Sequence, residues 1–230
     1  MGNKSKMSVA AAAFRASLPV MAGYIVLGMG FGIIMKTKGY GLIWTFAMSA
    51  FIYAGSMQYV AVDLLTGGAS LITAALTTFM VNARHLFYGI SMVDKYRGAG
   101  KKKPYMIFAL TDETYSLVCG DVPAEDADRH TYCFMLSVMN QCYWVSGSVI
   151  GAIIGSVIPF STEGIDFALT SLFVSVFVEQ WLTTKDHIPA IVGVICTAAC
   201  LAVFGSGSFL IPAMIAITLA LTVLKKARGE

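Results

Sequence analysis

The sequence predicts an all-α protein, a polytopic membrane bundle of about six to seven transmembrane helices. Two observations carry that prediction. Hydrophobic residues make up 57% of the chain and charged residues only 13%, whereas soluble domains carry about 25% charged residues. The apolar residues are also gathered into long uncharged runs with short charged loops between them, and about 20 such residues are needed to cross a bilayer core as a helix. The expected setting is therefore the lipid bilayer. A net charge of +3 is less informative than where the charges sit. No nucleic-acid partner is expected.

Met1 to Ser8 is short and basic, but no apolar stretch after it ends at a small-residue cleavage site, so the first run is expected to stay as a span. Ala16 to Met35 is that run, interrupted by Pro19, Gly23, Gly28, Gly30 and Gly32. Small residues let helices approach closely; a helix that loosens beside a cavity would use the same residues. Gly39 to Val62 is the second run, and Tyr53-Ala54-Gly55-Ser56-Met57-Gln58-Tyr59 forms a polar, flexible patch inside it.

The third run carries Asn82, Arg84 and His85 and ends at Asp94 to Lys103, with Lys95, Arg97, Lys101, Lys102 and Lys103. One helix is expected through this whole run, with the three polar residues about two turns inside its end. Five positive charges in one short loop place that loop in the cytoplasm. An Arg at membrane depth costs roughly 3 kcal/mol on insertion scales, so Arg84 is expected to be held by an acid, Asp112 or Glu113.

Those acids interrupt Pro104 to Gly120, a segment too short and too charged for an independent span. A half-buried or re-entrant helix is expected there. Asp121 to His130 is a charged linker, and Thr131 to Thr162 is uncharged. Asp166 opens the following helix, where a carboxylate favours the helix dipole, and that helix reaches Glu179, Gln180 and Trp181. Ile188 to Leu224 is uncharged throughout and, at 1.5 Å per residue, about 55 Å long as a helix. It should split at Gly205-Ser206-Gly207-Ser208. Counting crossings gives six spans, with Pro104 to Gly120 not crossing and the N-terminus outside; seven is the alternative.

The chain then divides into an N-terminal half, residues 1–120, and a C-terminal half, residues 131–230, within one membrane domain. Gln58-Tyr59 matches Gln180-Trp181 at an offset of 122, and Gly23 matches Gly147 at an offset of 124. Two parallel copies of three spans insert with opposite orientation, the inverted-repeat plan of many secondary transporters. On that plan the substrate site lies between Tyr53, Gly55, Ser56 and Gln58 on one side and Gln180 and Trp181 on the other. Asn82, Arg84, His85, Asp112, Glu113, Asp166 and Glu179 are the buried or coupling charges and polar groups, with Glu179 a candidate to carry a coupling proton.

The five cysteines and three histidines are scattered, so no metal or cofactor is expected and the cysteines read as packing residues. No catalytic signature and no nucleotide-binding loop is present, which disfavours an enzyme. A channel or structural subunit is the other alternative to a transporter.

The run Asn82-Ala83-Arg84-His85-Leu86-Phe87-Tyr88-Gly89 resembles the N-x-R-H-x-x-Y-G signature of the AzlC family. Leu110-Thr111-Asp112-Glu113, Gly164-Ile165-Asp166-Phe167-Ala168, Phe14-Arg15-Ala16-Ser17-Leu18-Pro19 and Tyr53-Ala54-Gly55-Ser56-Met57-Gln58 resemble its other elements, in order. The chain departs from many relatives at Thr170-Ser171, where they carry Pro. The resemblance implies a large subunit of a bacterial plasma-membrane exporter of branched-chain amino acids, working with a small AzlD-type membrane subunit. A homo-oligomer is the fallback.

Overall fold

The computed structural model describes residues 2–119, 128–157, 184–205 and 209–227, together with 174, 177, 178, 181 and 182. All regular structure among the described residues is helical. The chain groups into two compact units, Met1–Leu169 and Thr170–Glu230, each taken here by itself.

Helix α1 runs unbroken over Gly2–Thr37, with Pro19 inside it. At 1.5 Å per residue it is about 54 Å long. Its apolar section Val9–Thr37 is long and apolar enough to cross a membrane. Helix α8, Arg129–Val157, is the other long helix of the first unit. The two pack along a seam of small residues. A Cβ built on Gly28 would lie 2.8 Å from the Trp144 carbonyl oxygen, and one on Gly147 would lie 2.7 Å from that of Ile25. One on Gly151 would sit 2.6 Å from Met29 Cα. Only glycine permits such backbone approach. Gly28 and Gly32 of α1 therefore serve close packing, and the helix does not loosen there.

Between these two helices the chain is repeatedly interrupted. Gly39, at φ +90°, turns α1 into α2, Leu42–Ala47. A π-helical turn follows over Met48–Ile52 and ends at Tyr53, which is left-handed at φ 44° and ψ 47°. Helix α3 restarts at Gly55 and runs to Thr66. The polar patch seen in the sequence is thus where the second apolar run breaks. Gly67 and Gly68 lead to α4, Leu71–Asn82, whose N-cap Ser70 accepts a hydrogen bond from Thr73 N–H at 3.1 Å.

The expected single helix through Arg84 is instead two helices. Helix α4 ends at Asn82, and α5 spans Arg84–Met92. The reason is local: Ala83 N–H bonds to Met80 O, and Leu86 N–H to Ala83 O, three-residue spacings that break the four-residue ladder. A 3₁₀ turn at Gly100–Lys102 leads into α6, Lys103–Phe108. After a break at Ala109 to Thr111, α7 covers Asp112–Val118 with the Thr111 side chain as its N-cap. The acids Asp112 and Glu113 lie in its first turn, where negative charge is favoured.

The core of this unit gathers Val9 and Ala13 of α1, Met92 at the end of α5 and Tyr96 beyond it, Met106 and Leu110, Val118, and Tyr132, Cys133 and Leu136 of α8. Lys102 reaches across the basic loop to Asp128 at 3.4 Å. Asp128 in turn accepts a hydrogen bond from His130 N–H at 3.0 Å and caps the start of α8. Opposite the core, Leu71, Ile72 and Phe79 of α4 are 90%, 74% and 65% exposed, faces that suit lipid and not water.

In the second unit, α9 is Ile188–Phe204 and α10 is Leu210–Ala227. The long uncharged run therefore divides where expected, with Gly205 at φ +70° ending α9. Lys225 and Lys226 occupy the last turn of α10.

Candidate functional site

Three of the interruptions between α1 and α8, at Tyr53, Ala83 and Ala109, meet around one cavity of about 490 Å³. Tyr53 and Ala54 line it from the first break, Asn82 and His85 from the second, and Phe108 and Leu110 from the third. Small-molecule pockets commonly fall between about 300 and 1,000 Å³, so the size suits a metabolite. Along α5 the cavity sees His85, Gly89 and Met92, an i, i+4, i+7 stripe on one helix face, with Asn82 at the end of α4 and Val93 just past α5. The wall is mainly apolar, with Ile52, Ile107 and Leu110 among its residues and Lys103 at one edge.

The polar groups at the second break are specific. His85 Nδ1 lies 3.1 Å from the Asn82 carbonyl oxygen, which ties the ring to the break. The Asn82 side-chain oxygen is buried without a hydrogen-bond partner. A buried acceptor left unpaired costs roughly 1–3 kcal/mol.

Arg84 points to the neighbouring face. Its guanidinium lies 2.9 Å from Asp112 Oδ2, with both side chains about one-third exposed. The same group donates to Ser56 Oγ in the first turn of α3. One arginine thus joins all three breaks, tying α5 to α3 and α7. Tyr88, one turn further on, stacks on Tyr115 of α7 with centroids 4.4 Å apart.

Glu113 takes a different set of partners. Tyr24 of α1 donates to its Oε2 at 2.7 Å and lies 2.6 Å from Thr111 Oγ1. Thr111 Oγ1 reaches Thr114 Oγ1 at 3.0 Å, and Asn140 of α8 donates to Thr114 Oγ1 at 3.0 Å.

Gln58, expected at the substrate site, is fully buried and is not among the residues that line this cavity. Trp144 Nε1 donates to Gln58 Oε1 at 2.8 Å, and Gln58 Nε2 donates to Ser49 Oγ at 3.3 Å. The amide is a strut between α3, the π turn and α8. Gly55 serves the same contact: a Cβ there would meet the Trp144 ring at 3.1 Å. Of the expected patch, Tyr53 and Ala54 line the cavity.

Trp181 belongs to the second unit, where its ring stacks on His187 with centroids 4.2 Å apart. The expected site joined it to the Tyr53–Tyr59 patch of the other unit. Asp166, Glu179 and Gln180 lie outside the described residues.

Several residues escaped the sequence reading. Trp144 and Tyr24 looked like ordinary aromatics in apolar runs, although the polar atom each carries must find a partner when buried. Gln141 donates to Ala50 O at 2.9 Å, satisfying a carbonyl of the π turn; an amide inside an uncharged run was the available signal. Among the described residues, no three His, Cys, Asp or Glu side chains come together as a metal set.

The family described as AzlC protein matches residues 19–158. This chain belongs to the AzlC family. The matched segment runs from Pro19 of α1 through all three breaks to the end of α8. Over 215 residues the chain is 47% identical to the branched-chain amino acid transport protein AzlC of Bacillus subtilis, covering 93% of this chain and 84% of that protein. An uncharacterized membrane protein of Helicobacter pylori is 37% identical over 214 residues, 93% of this chain and 94% of its own length. Inner membrane protein YgaZ of Escherichia coli is 31% identical over 167 residues, 69% and 68% of the two chains. No solved structure matches. As an AzlC-family member of this helical class, the chain is a membrane protein.

Proposed function

We propose that this chain is the main membrane subunit of a secondary exporter of branched-chain amino acids in a bacterial plasma membrane. The observation that carries the reading is the cavity where three broken helices meet. Transporters of this kind place substrate at helix breaks, where backbone groups and helix ends are free to bind charge. The unpartnered Asn82 oxygen is an acceptor for a substrate ammonium group, and Lys103 at the cavity edge is a cation for its carboxylate. Ile52, Met92, Val93 and Ile107 supply an apolar wall for a branched aliphatic side chain. The name of the Bacillus subtilis relative agrees with that substrate class.

The chain works with a small AzlD-type membrane subunit; the resemblance supplies that partner. Apolar faces such as Leu71, Ile72 and Phe79 on α4 are surfaces that a partner helix or lipid would cover. A second copy of this chain is the alternative occupant.

Transport is tested by reconstituting the chain with and without its small partner in liposomes loaded with leucine, valine or alanine. Efflux of leucine and valine faster than alanine is expected, and only with the partner present. Val93→Trp, which fills the cavity, and Asn82→Leu, which removes the acceptor, should each cut efflux at least tenfold while the protein still inserts and purifies. Native efflux from both variants would move the site elsewhere. Absence of any leucine or valine flux in the native complex would overturn the substrate reading.

A further inference from the structure

We propose that Glu113 is the proton-carrying site of this transporter, binding one proton per cycle to drive amino-acid movement against it. The inference rests on the export reading above for its purpose, but its chemistry stands on the geometry around one carboxyl group.

Two carboxylates sit side by side at the start of α7, and their surroundings differ. Asp112 has the Arg84 guanidinium at 2.9 Å. Glu113 has no cation within 4.0 Å among the described residues; its contact is the neutral Tyr24 hydroxyl at 2.7 Å. Two neighbouring acids held in such different environments can serve different roles. An ionisable residue within a membrane protein that lacks a fixed counter-ion marks a proton or ion path more often than a structural contact.

The hydroxyl chain beside Glu113 accommodates both states. With the carboxylate ionised, Thr111 donates to Tyr24 and Tyr24 donates to Glu113. With the carboxyl protonated, every rotor turns the other way: Glu113 donates to Tyr24, Tyr24 to Thr111, and Thr111 to Thr114. The separations are 2.7 Å, 2.6 Å and 3.0 Å, each within hydrogen-bond range. Hydroxyl hydrogens rotate to suit their partners, so taking up a proton keeps the Glu113–Tyr24 and Tyr24–Thr111 contacts and frees the Thr111 hydrogen for Thr114. The only bond formed or broken is the O–H of Glu113. The proton comes from the side of higher proton activity and leaves to the other.

The charged and titratable groups that face this carboxyl are Tyr24 from α1, Tyr53 at the end of the π turn, Asp112 beside it, and Arg84 and Tyr88 from α5. Helix α8 contributes Asn140, which is neutral and acts through Thr114. Tyr24 also ties the carboxyl to the α1–α8 pair, while Asp112 and Arg84 tie its helix to the cavity-lining α5. A change in the Glu113 proton is therefore felt on both sides of α7.

The test separates the proton site from the transport reading. Infrared difference spectra of the purified native complex between acid and alkaline pH should show a carboxylic-acid band that Glu113→Gln removes and Asp112→Asn keeps. Tyr24→Phe, which deletes the first rotor and leaves the carboxyl, should retain the band with a shifted midpoint. In liposomes with pH gradients, Glu113→Gln should keep leucine exchange near the native rate. It should lose at least tenfold of gradient-driven leucine accumulation and of leucine-induced proton flux. If no titrating band depends on Glu113, or Glu113→Gln accumulates leucine against its gradient at the native rate, the proposal is overturned. Should the Gln variant fail to fold, an unmoved midpoint in Tyr24→Phe overturns it equally. A Glu113 band in a native complex that moves no leucine or valine would support the proton site and sink the substrate reading alone.

Discussion

Adding one methyl group to the α1–α8 seam should be among the most damaging small changes in the protein. In Gly151→Ala the new Cβ would begin 2.6 Å from Met29 Cα, against about 3.5–4.0 Å for carbon atoms in ordinary contact. The obstacle is backbone on both helices, so no rotamer change relieves it. The helices must separate by about 1 Å, loosening the contacts at Gly28, Gly32 and Gly147 together. Overpacking a well-filled interior costs typically 1–3 kcal/mol and occasionally more; the rigid backbone obstacle puts Gly151→Ala at or above about 3 kcal/mol. Gly23→Ala on α1 provides the control. Nothing lies within 4 Å of its built Cβ, and exchanging glycine for alanine in a helix stabilises by about 1 kcal/mol. Thermal unfolding of both variants in one detergent should therefore move Tm in opposite directions, down for Gly151→Ala and up for Gly23→Ala. Equal Tm values, or a Gly151→Ala protein as stable as the native chain, would show that the seam is not packed as described.

Other outcomes follow from the same contacts. Gln58→Leu strands the Trp144 indole N–H and should cost about 1–3 kcal/mol; pairing it with Trp144→Phe should cost less than the two single changes summed, measured as a double-mutant cycle in Tm. Arg84→Ala leaves Asp112 without its cation and should lower Tm, by less than the 3–5 kcal/mol typical of fully buried pairs because both groups are about one-third exposed. The Thr131 hydroxyl, followed by Lys102, holds Asp128 down at about 2. A depressed carboxylate stabilises the fold above its ordinary value of 3.8 and loses that contribution as pH falls towards its native one. Stability measured from neutral pH to about 2 should accordingly decline in the acid part of that range, and Asp128→Asn should flatten that portion.

How far the sequence could be read depended on whether a residue's cost was visible without its partner. An arginine near an apolar run is expensive wherever it points, so the importance of Arg84 and its tie to an acid of α7 were legible. The break at Ala83 was not, because neither Gly nor Pro marks it; it arises from hydrogen bonds that shorten by one residue. The break at Tyr53 was half legible. The polar patch pointed to it, but a tyrosine at φ 44° is not a residue that advertises left-handed backbone. Gln58 was recognised as a buried amide needing partners and then given to substrate, because its partner lies in α8, 86 residues further along the chain. The acid pair could be named, yet only the folded structure shows that Arg84 serves Asp112 and a tyrosine serves Glu113.

The seam between α1 and α8 also decides which parts of the molecule can move. Two backbones in contact through glycine have no side chains between them to act as a bearing, so the pair can neither twist nor slide by small steps without collision. Within this unit, rearrangement falls to α2 to α7, whose breaks at Tyr53, Ala83 and Ala109 give them joints. Local opening, which varies widely within one protein, should be rarest between Tyr24 and Gly32 and between Asn140 and Ala152. The long pair is then the stator of the machine, and the short helices around the cavity are its working parts.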